Sequence, residues 1–200
     1  VAGQQEADMN MVERRFDIVD KATFRNGMSR LGSAVSVTST KYGGKRYGFT
    51  ASAVCSVGDT PATLLVCLNR ESSCFHAFEN ARYFCVNTLM PGQEDISNHF
   101  GGKTSVEDRF AYGEWVEGLT GVPVLASASV SFECELTNAV DEATHRILFG
   151  RVIDIRENEN KRRCSIVCVA TSVFKQSTDF TPERLKGRSL TNRCRDVEIS

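Results

Sequence analysis

Between Gly48 and Val57 the chain reads GFTASAVCSV, a run without charge in which Phe49 is the only long side chain. Thr50, Ala51, Ser52, Ala53, Val54, Cys55 and Ser56 keep the surface of such a segment low and its backbone reachable. A flat ligand with a polar rim needs close backbone approach, N–H and hydroxyl donors for its ring oxygens and nitrogens, and no bulky side chain in the way. The same run suits a tightly packed strand, and residue types alone favour that plainer reading. Cys55 could be a nucleophile, but no histidine is near it in sequence, so a small buried thiol is the simpler assignment. His76 and His99 read as structural or exposed. No paired carboxylates and no Ser-His-Asp arrangement stand out, and the absence of a CxxC pair argues against zinc or a redox dithiol.

The elements that must position these residues are mostly strands. KATFRNGMSRLG (21–32) places Phe24, Met28 and Leu31 at helical spacing, with Gly32 as a stop. SAVSVTST (33–40) alternates, with Val35 and Val37 on one face and Ser36 and Thr38 on the other, as a half-buried strand does. KYGGKR (41–46) signals a hairpin, so residues 47–57 should return beside that strand. ATLLVCLN (62–69) is a buried strand, SSCFHAFENA (72–81) a short helix and RYFCVNTL (82–89) another strand. Residues 92–102 and 105–113 read as short helices separated by Gly101-Gly102, with Ser105 and Asp108 as a capping pattern. Two long alternating runs follow at 124–136 and 144–156, joined by Asn138 to Ala143, with a bulge or bend expected at Gly150. CSIVCVATSVF (164–174) is the last strand. Long helices do not alternate with the strands and no G-x-G-x-x-G follows one, which excludes a doubly wound nucleotide fold. A closed antiparallel barrel removes the sheet edges.

Composition sets the class of partner. The 200 residues carry a formal net charge of −1, so no overall basic field draws the chain to nucleic acid. No apolar run approaches the roughly 20 residues of a membrane span, and the first residues lack the order of a secretory signal. Cys55, Cys67, Cys85, Cys134 and Cys168 sit in apolar strand text, where cysteine acts as a small hydrophobe. Reduced thiols and a cytoplasmic location are the expectation.

Seven segments, in order and spacing, resemble a known family: FRNGMSRLGSAVSVTST, GFTASAVCSV, TPATLLVCLNRESS, YFCVNTL, NHFGGKT, EDRF and THRILFG. Together they are similar to the short-chain flavin reductases, the reductase partners of two-component flavin monooxygenases such as 4-hydroxyphenylacetate 3-monooxygenase. The resemblance implies a mainly β, antiparallel split β-barrel with short helical insertions, FMN or FAD as bound flavin, and NADH or NADPH as hydride donor. It implies a homodimer and a monooxygenase partner reached by diffusing reduced flavin. The resulting layout is an N-terminal extension (1–20), the barrel domain (21–176) and a polar, aperiodic tail (177–200) expected to be readily trimmed. By the same resemblance Thr50, Ser52, Ala53, Val54, Cys55 and Ser56 edge the flavin ring, and Asn69 lies by the ribityl chain. Ser72 and Ser73 open a helix start suited to phosphate. Asn87 and Leu89 reach the ring from a neighbouring strand, Phe100 and Gly101 approach the flavin, Lys103 meets a phosphate, and His145 lies by the nicotinamide.

After Arg156 the pattern departs from the family. Relatives close with an aromatic and basic strand, whereas RRCSIVCVATSVFKQSTDF holds no tyrosine. Two classes therefore stand side by side: an NAD(P)H:flavin oxidoreductase, and a flavin-binding barrel without efficient turnover that serves as a carrier or interaction module. A pyridoxamine-phosphate-oxidase-like enzyme shares the barrel and is a third reading.

Overall fold

A computed structural model describes residues 17–158; the strand expected at 164–174 and the tail at 177–200 lie outside the described residues. The elements in chain order are α1 (Lys21–Met28), β1 (Ser36–Tyr42), β2 (Lys45–Ala51), β3 (Val54–Asp59), β4 (Ala62–Asn69), α2 (Phe75–Asn80), β5 (Tyr83–Thr88), α3 (Glu94–Asn98), β6 (Trp115–Glu117), β7 (Pro123–Leu125), β8 (Val130–Glu142) and β9 (His145–Glu157). A π-turn (His99–Lys103) continues α3, and a 3₁₀ turn (Asp108–Ala111) precedes β6.

Seven strands form one antiparallel sheet in the order β2-β1-β5-β8-β9-β4-β3. Its two outermost strands are consecutive in the chain, separated only by Ser52 and Ala53. The three Cα–Cα steps from Ala51 to Val54 span at most about 11 Å, so the sheet must curl until its edges come close. The Cys67 amide donates to the Ala53 carbonyl at 3.1 Å, carrying the β4–β3 ladder into that link. This is a mainly β, antiparallel split barrel, closed where the small-residue run changes edge.

The hairpin between β1 and β2 turns on Gly43 and Gly44, both with positive φ (56° and 77°). That geometry matches the strand twist and is open to glycine at little steric cost. Ser105 caps as its spacing predicts, accepting from the Asp108 amide and donating to the Asp108 carboxylate.

Inside the barrel Phe49, Leu64, Val66, Leu68, Phe78, Phe84, Val86, Cys134 and Leu148 pack as one cluster, each large side chain contributing about 1.5–3 kcal/mol on burial. A second cluster, with Val35, Val37, Leu89, Phe100, Phe110, Leu125 and Ala128, covers the other face of β1. β1 is therefore buried on both faces rather than half-buried. Two of its hydroxyls bond inward: Ser39 Oγ donates to the Pro123 carbonyl and Thr40 Oγ1 to the Tyr83 carbonyl.

Four other expectations change. Asn138 to Glu142 is strand, not connection, so β8 and β9 meet through a two-residue turn at Ala143-Thr144. The β8–β9 ladder bulges twice, at Thr137 on β8, opposite Phe149 and Gly150, and at Ile153 on β9, opposite Glu133 and Cys134, so neither extra residue is Gly150 itself. The run expected at 124–136 breaks at 126–129 into β7 and β8. α1 exists, N-capped by Asp20, but Phe24, Met28 and Leu31 are exposed instead of facing a core.

Candidate active site

A cavity of about 580 Å³ opens beside the barrel seam, within the 300–1,000 Å³ range of small-molecule and cofactor sites. Five parts of the chain line it. The seam contributes Phe49 to Ala53; the end of β4 and the following turn contribute Cys67, Leu68, Asn69, Glu71, Ser72 and Ser73. The π-turn brings Phe100 to Gly102, and His145 stands at the start of β9; Arg109 completes the wall. Of the site residues expected from sequence, Thr50, Ser52, Ala53, Asn69, Ser72, Ser73, Phe100, Gly101 and His145 are brought together here.

Local chemistry explains each position. Asn69 ends β4 as an Asx turn, its Oδ1 accepting from the Glu71 amide at 2.9 Å. Its Nδ2 has no acceptor among the described residues. Ser72 Oγ accepts from the Cys74 amide at 3.3 Å and Ser73 Oγ accepts from Arg109 Nη2 at 3.2 Å. Among the described residues both hydroxyl protons are thus left to donate. Thr50 Oγ1 instead donates to the Ser97 carbonyl at 2.7 Å, which ties β2 to α3 and leaves only its lone pairs for a ligand. Phe100 is buried and lies on Gly48, where a Cβ would come within 2.7 Å of its ring. Any other residue at 48 would push that wall outward.

His145 pairs with Asn69 across the β4–β9 ladder, so one register sets both. Its Nδ1 lies 2.9 Å from Thr144 Oγ1. The neighbouring Arg146 donates to Asp141 and Glu79 and covers the Phe75 ring at 4.8 Å, steadying this end of the hairpin. Those hydrogen bonds from Arg146 hold the Asp141 carboxyl below its ordinary range.

Other expected residues lie elsewhere. Val54, Cys55 and Ser56 belong to the edge strand β3 and do not line the cavity; Cys55 is exposed, not the buried thiol its apolar text suggests, because β3 has a neighbour on one side only. Cys67 lines the wall instead, and burial pushes its thiol pKa up. Asn87 is fully buried and fully used. It donates to the Val37 carbonyl and Ser39 Oγ, and its Oδ1 accepts from the Leu125 amide and Ser131 Oγ. Leu89 packs in the second cluster. α2 starts at Phe75 and has six residues, so Ser72 and Ser73 precede it in a turn. The backbone of Lys103 ends the π-turn.

Arg109 was not singled out from the sequence, although it stands in the EDRF segment. Its signal is negative: Ser105, Val106, Tyr112 and Gly113 at helical spacing offer no acid to pair with it. Phe49, Ala51, Cys67, Leu68, Glu71 and Gly102 also came only from the folding of the wall.

Comparison with known proteins agrees with this geometry. Residues 28–176 match the family model of the flavin reductase like domain. The chain is 50% identical over 155 residues to an FMN reductase (NADH) RutF from Pantoea ananatis, covering 78% of this chain and 81% of that one. It is 56% identical over 133 residues to the FMN reductase (NADH) RutF of Escherichia coli K12, covering 66% and 81%. Among solved structures, the NADH:FAD oxidoreductase SgcE6 of Streptomyces globisporus C-1027, in complex with NAD and FAD fragments, superposes with a TM-score of 0.65. It is 26% identical, with 71% of this chain and 87% of that chain covered. Fold and cavity thus define a flavin reductase of the split-barrel type. The chain belongs to the flavin reductase family.

Proposed function

We propose that this protein is an NADH-dependent flavin reductase that uses FMN as its flavin. One observation carries the reading most directly: a cavity of cofactor size has a low wall of Ala51, Ser52 and Ala53 facing unspent donors on Asn69, Ser72 and Ser73. The donor set fits the group, since a flavin carries ring carbonyls, ribityl hydroxyls and a phosphate that all accept. The names of its relatives, FMN reductase (NADH), support the choice of flavin and of donor.

The flavin, when bound, supplies the chemistry, accepting a hydride from the nicotinamide. The chain's residues bind, orient and shield. Ser52 and Ala53 let a ring approach the backbone at the seam, and Phe100 is a rigid apolar backing on the π-turn. Asn69 Nδ2 and the two serine hydroxyls orient the polar tail. His145, at the open end of the same cavity, positions the nicotinamide, which needs contact with the flavin more than an acid or a base. Lys103 is a further candidate for the phosphate. Reduced flavin then leaves for a monooxygenase, and the barrel works as a homodimer in the cytoplasm.

NADH oxidation measured with and without added FMN tests this reading. Turnover should depend on flavin, and reduced flavin should reach cytochrome c as a separate acceptor. His145→Ala should lower kcat about tenfold while FMN affinity changes less than threefold. Flavin binding without NADH oxidation would reduce the protein to a binding module, and no binding at all would remove the reading.

A further inference from the structure

The cavity wall is sheet at the end of β2, the end of β4 and the start of β9. From Phe100 to Gly102 it is the π-turn instead, which no strand ladder holds among the described residues. The parts of this turn are fixed differently. Phe100 is buried, edge-on to Phe110 and tilted against Trp115, with ring centroids 5.1 and 5.2 Å away. Gly101 and Gly102 are exposed, and a Cβ at either position would meet nothing within 4 Å. Gly102 also has a positive φ of 102°, which glycine adopts at little cost. What fastens this part lies outside the cavity. His99 opens the turn and Thr104 follows it, and the two are bonded through Nδ1 and Oγ1 at 2.7 Å, which closes the turn upon itself. The His99 ring lies flat on Tyr112, with centroids 3.2 Å apart and planes 12° apart. Arg109 Nε donates to the Thr104 carbonyl at 3.2 Å and steadies the far end. His99, Thr104 and Tyr112 do not themselves line the cavity.

From this arrangement, with its role resting on the flavin reading above, we infer that His99 is a positioning residue for the reductase reaction: clasped to Thr104 and Tyr112, it holds the Gly101–Gly102 wall in place and so sets how long flavin stays bound. A reductase that hands on its reduced flavin must release it in every cycle, yet the two rings must stay in contact while the hydride moves. A wall held by a ladder of backbone bonds would open only with the barrel. A wall held by one side-chain bond and one ring stack opens locally, since each is worth only about two- to tenfold in an equilibrium constant. The labour within NHFGGKT is thereby divided. Phe100 anchors the turn to the core, the two glycines yield, and His99 with Thr104 fastens them. His99 moves no proton in this role; it acts from behind the wall, through Gly101 and Gly102.

Two substitutions cut the clasp in different ways. Thr104→Val keeps the shape of the side chain and removes the bond, and His99→Phe removes the same bond but keeps a ring against Tyr112. Stopped-flow fluorescence should show FMN leaving either variant about fivefold faster than the wild type, the effect of one net hydrogen bond. The KM for FMN should rise by a similar factor, while single-turnover reduction of bound FMN by NADH stays within about twofold. Thr104→Ser, which keeps the hydroxyl, should hold the dissociation rate within about twofold of the wild type. Wild-type dissociation from either Thr104→Val or His99→Phe would overturn the inference, as would a Thr104→Ser variant that releases FMN as fast as Thr104→Val. A lower melting temperature without faster release would also overturn it, leaving the clasp as a contact that merely stabilises the fold. A wild-type chain that binds no FMN would instead sink the flavin reading itself.

Discussion

Two asparagines on the same sheet show how different its two sides are. Asn69 and Asn87 each stand near the end of a strand in apolar surroundings, and the family resemblance sends both to the flavin. The structure treats them oppositely. Asn87 is fully buried with both ends of its amide occupied, and it knits β1, β5, β7 and β8 together. Among the described residues Asn69 uses only its Oδ1, in a local turn, and leaves its amide protons at a cavity. A polar group whose bonds are all made inside the fold holds the fold; one with bonds left over is available to a ligand. The same contrast separates Arg109, whose four hydrogen bonds leave one of its five N–H groups over among the described residues, from Glu133, which is buried but saturated by the Leu119 and Thr120 amides and the Thr120 hydroxyl.

Exchanging the two asparagines should break the comparison most clearly. Asn87→Ala leaves several buried partners without a bond, each costing roughly 1–3 kcal/mol. Urea unfolding should show a loss on the order of 3 kcal/mol or more, with FMN affinity of the folded protein unchanged. Asn69→Ala should do the reverse, with FMN affinity falling about fivefold and stability changing by less than about 1 kcal/mol. A variant at 87 that unfolds normally but loses flavin would reverse the assignments.

The small-residue wall at the seam gives the next effect. Ala53→Leu adds a side chain at the seam where the ring must approach, and FMN affinity should fall at least tenfold, about 1.4 kcal/mol. Because Ala53 is exposed, the melting temperature should stay within a degree or two. Undiminished FMN binding in that variant would remove the seam from the site.

The smallest effect concerns the hairpin end that carries His145. Hydrogen bonds from Arg146 lower the Asp141 pKa below its unfolded value, so the pair stabilises the fold above roughly pH 4. That contribution disappears as pH falls through the lower, folded value. The stability gap between wild type and Asp141→Asn should therefore narrow on going from pH 7 to pH 3. A gap constant across that range would show that the pair does not support the turn.

What the sequence determined by itself is local and periodic. Alternating valines at 35 and 37, glycines at 43 and 44 and the Ser105–Asp108 pair dictate a strand, a mirror-image turn and a cap, because each depends on neighbours a few residues away. The order of seven short segments was enough to place the family and, with it, nine of the cavity residues. Depth was not legible. Ser36, Thr38 and Thr40 look like a solvent face, yet they are buried, since a curled sheet with a covering layer leaves β1 no exposed side. Residues 47–57 read as one strand returning beside β1, yet 54–59 form the separate edge strand β3, so Cys55 is in solvent. Only the closure of the barrel decided these points. It brings Gly48, Ser73 and Thr104 within reach of one guanidinium. Whether a donor is spent or spare depends on partners tens of residues away, and no spacing rule in the chain encodes them.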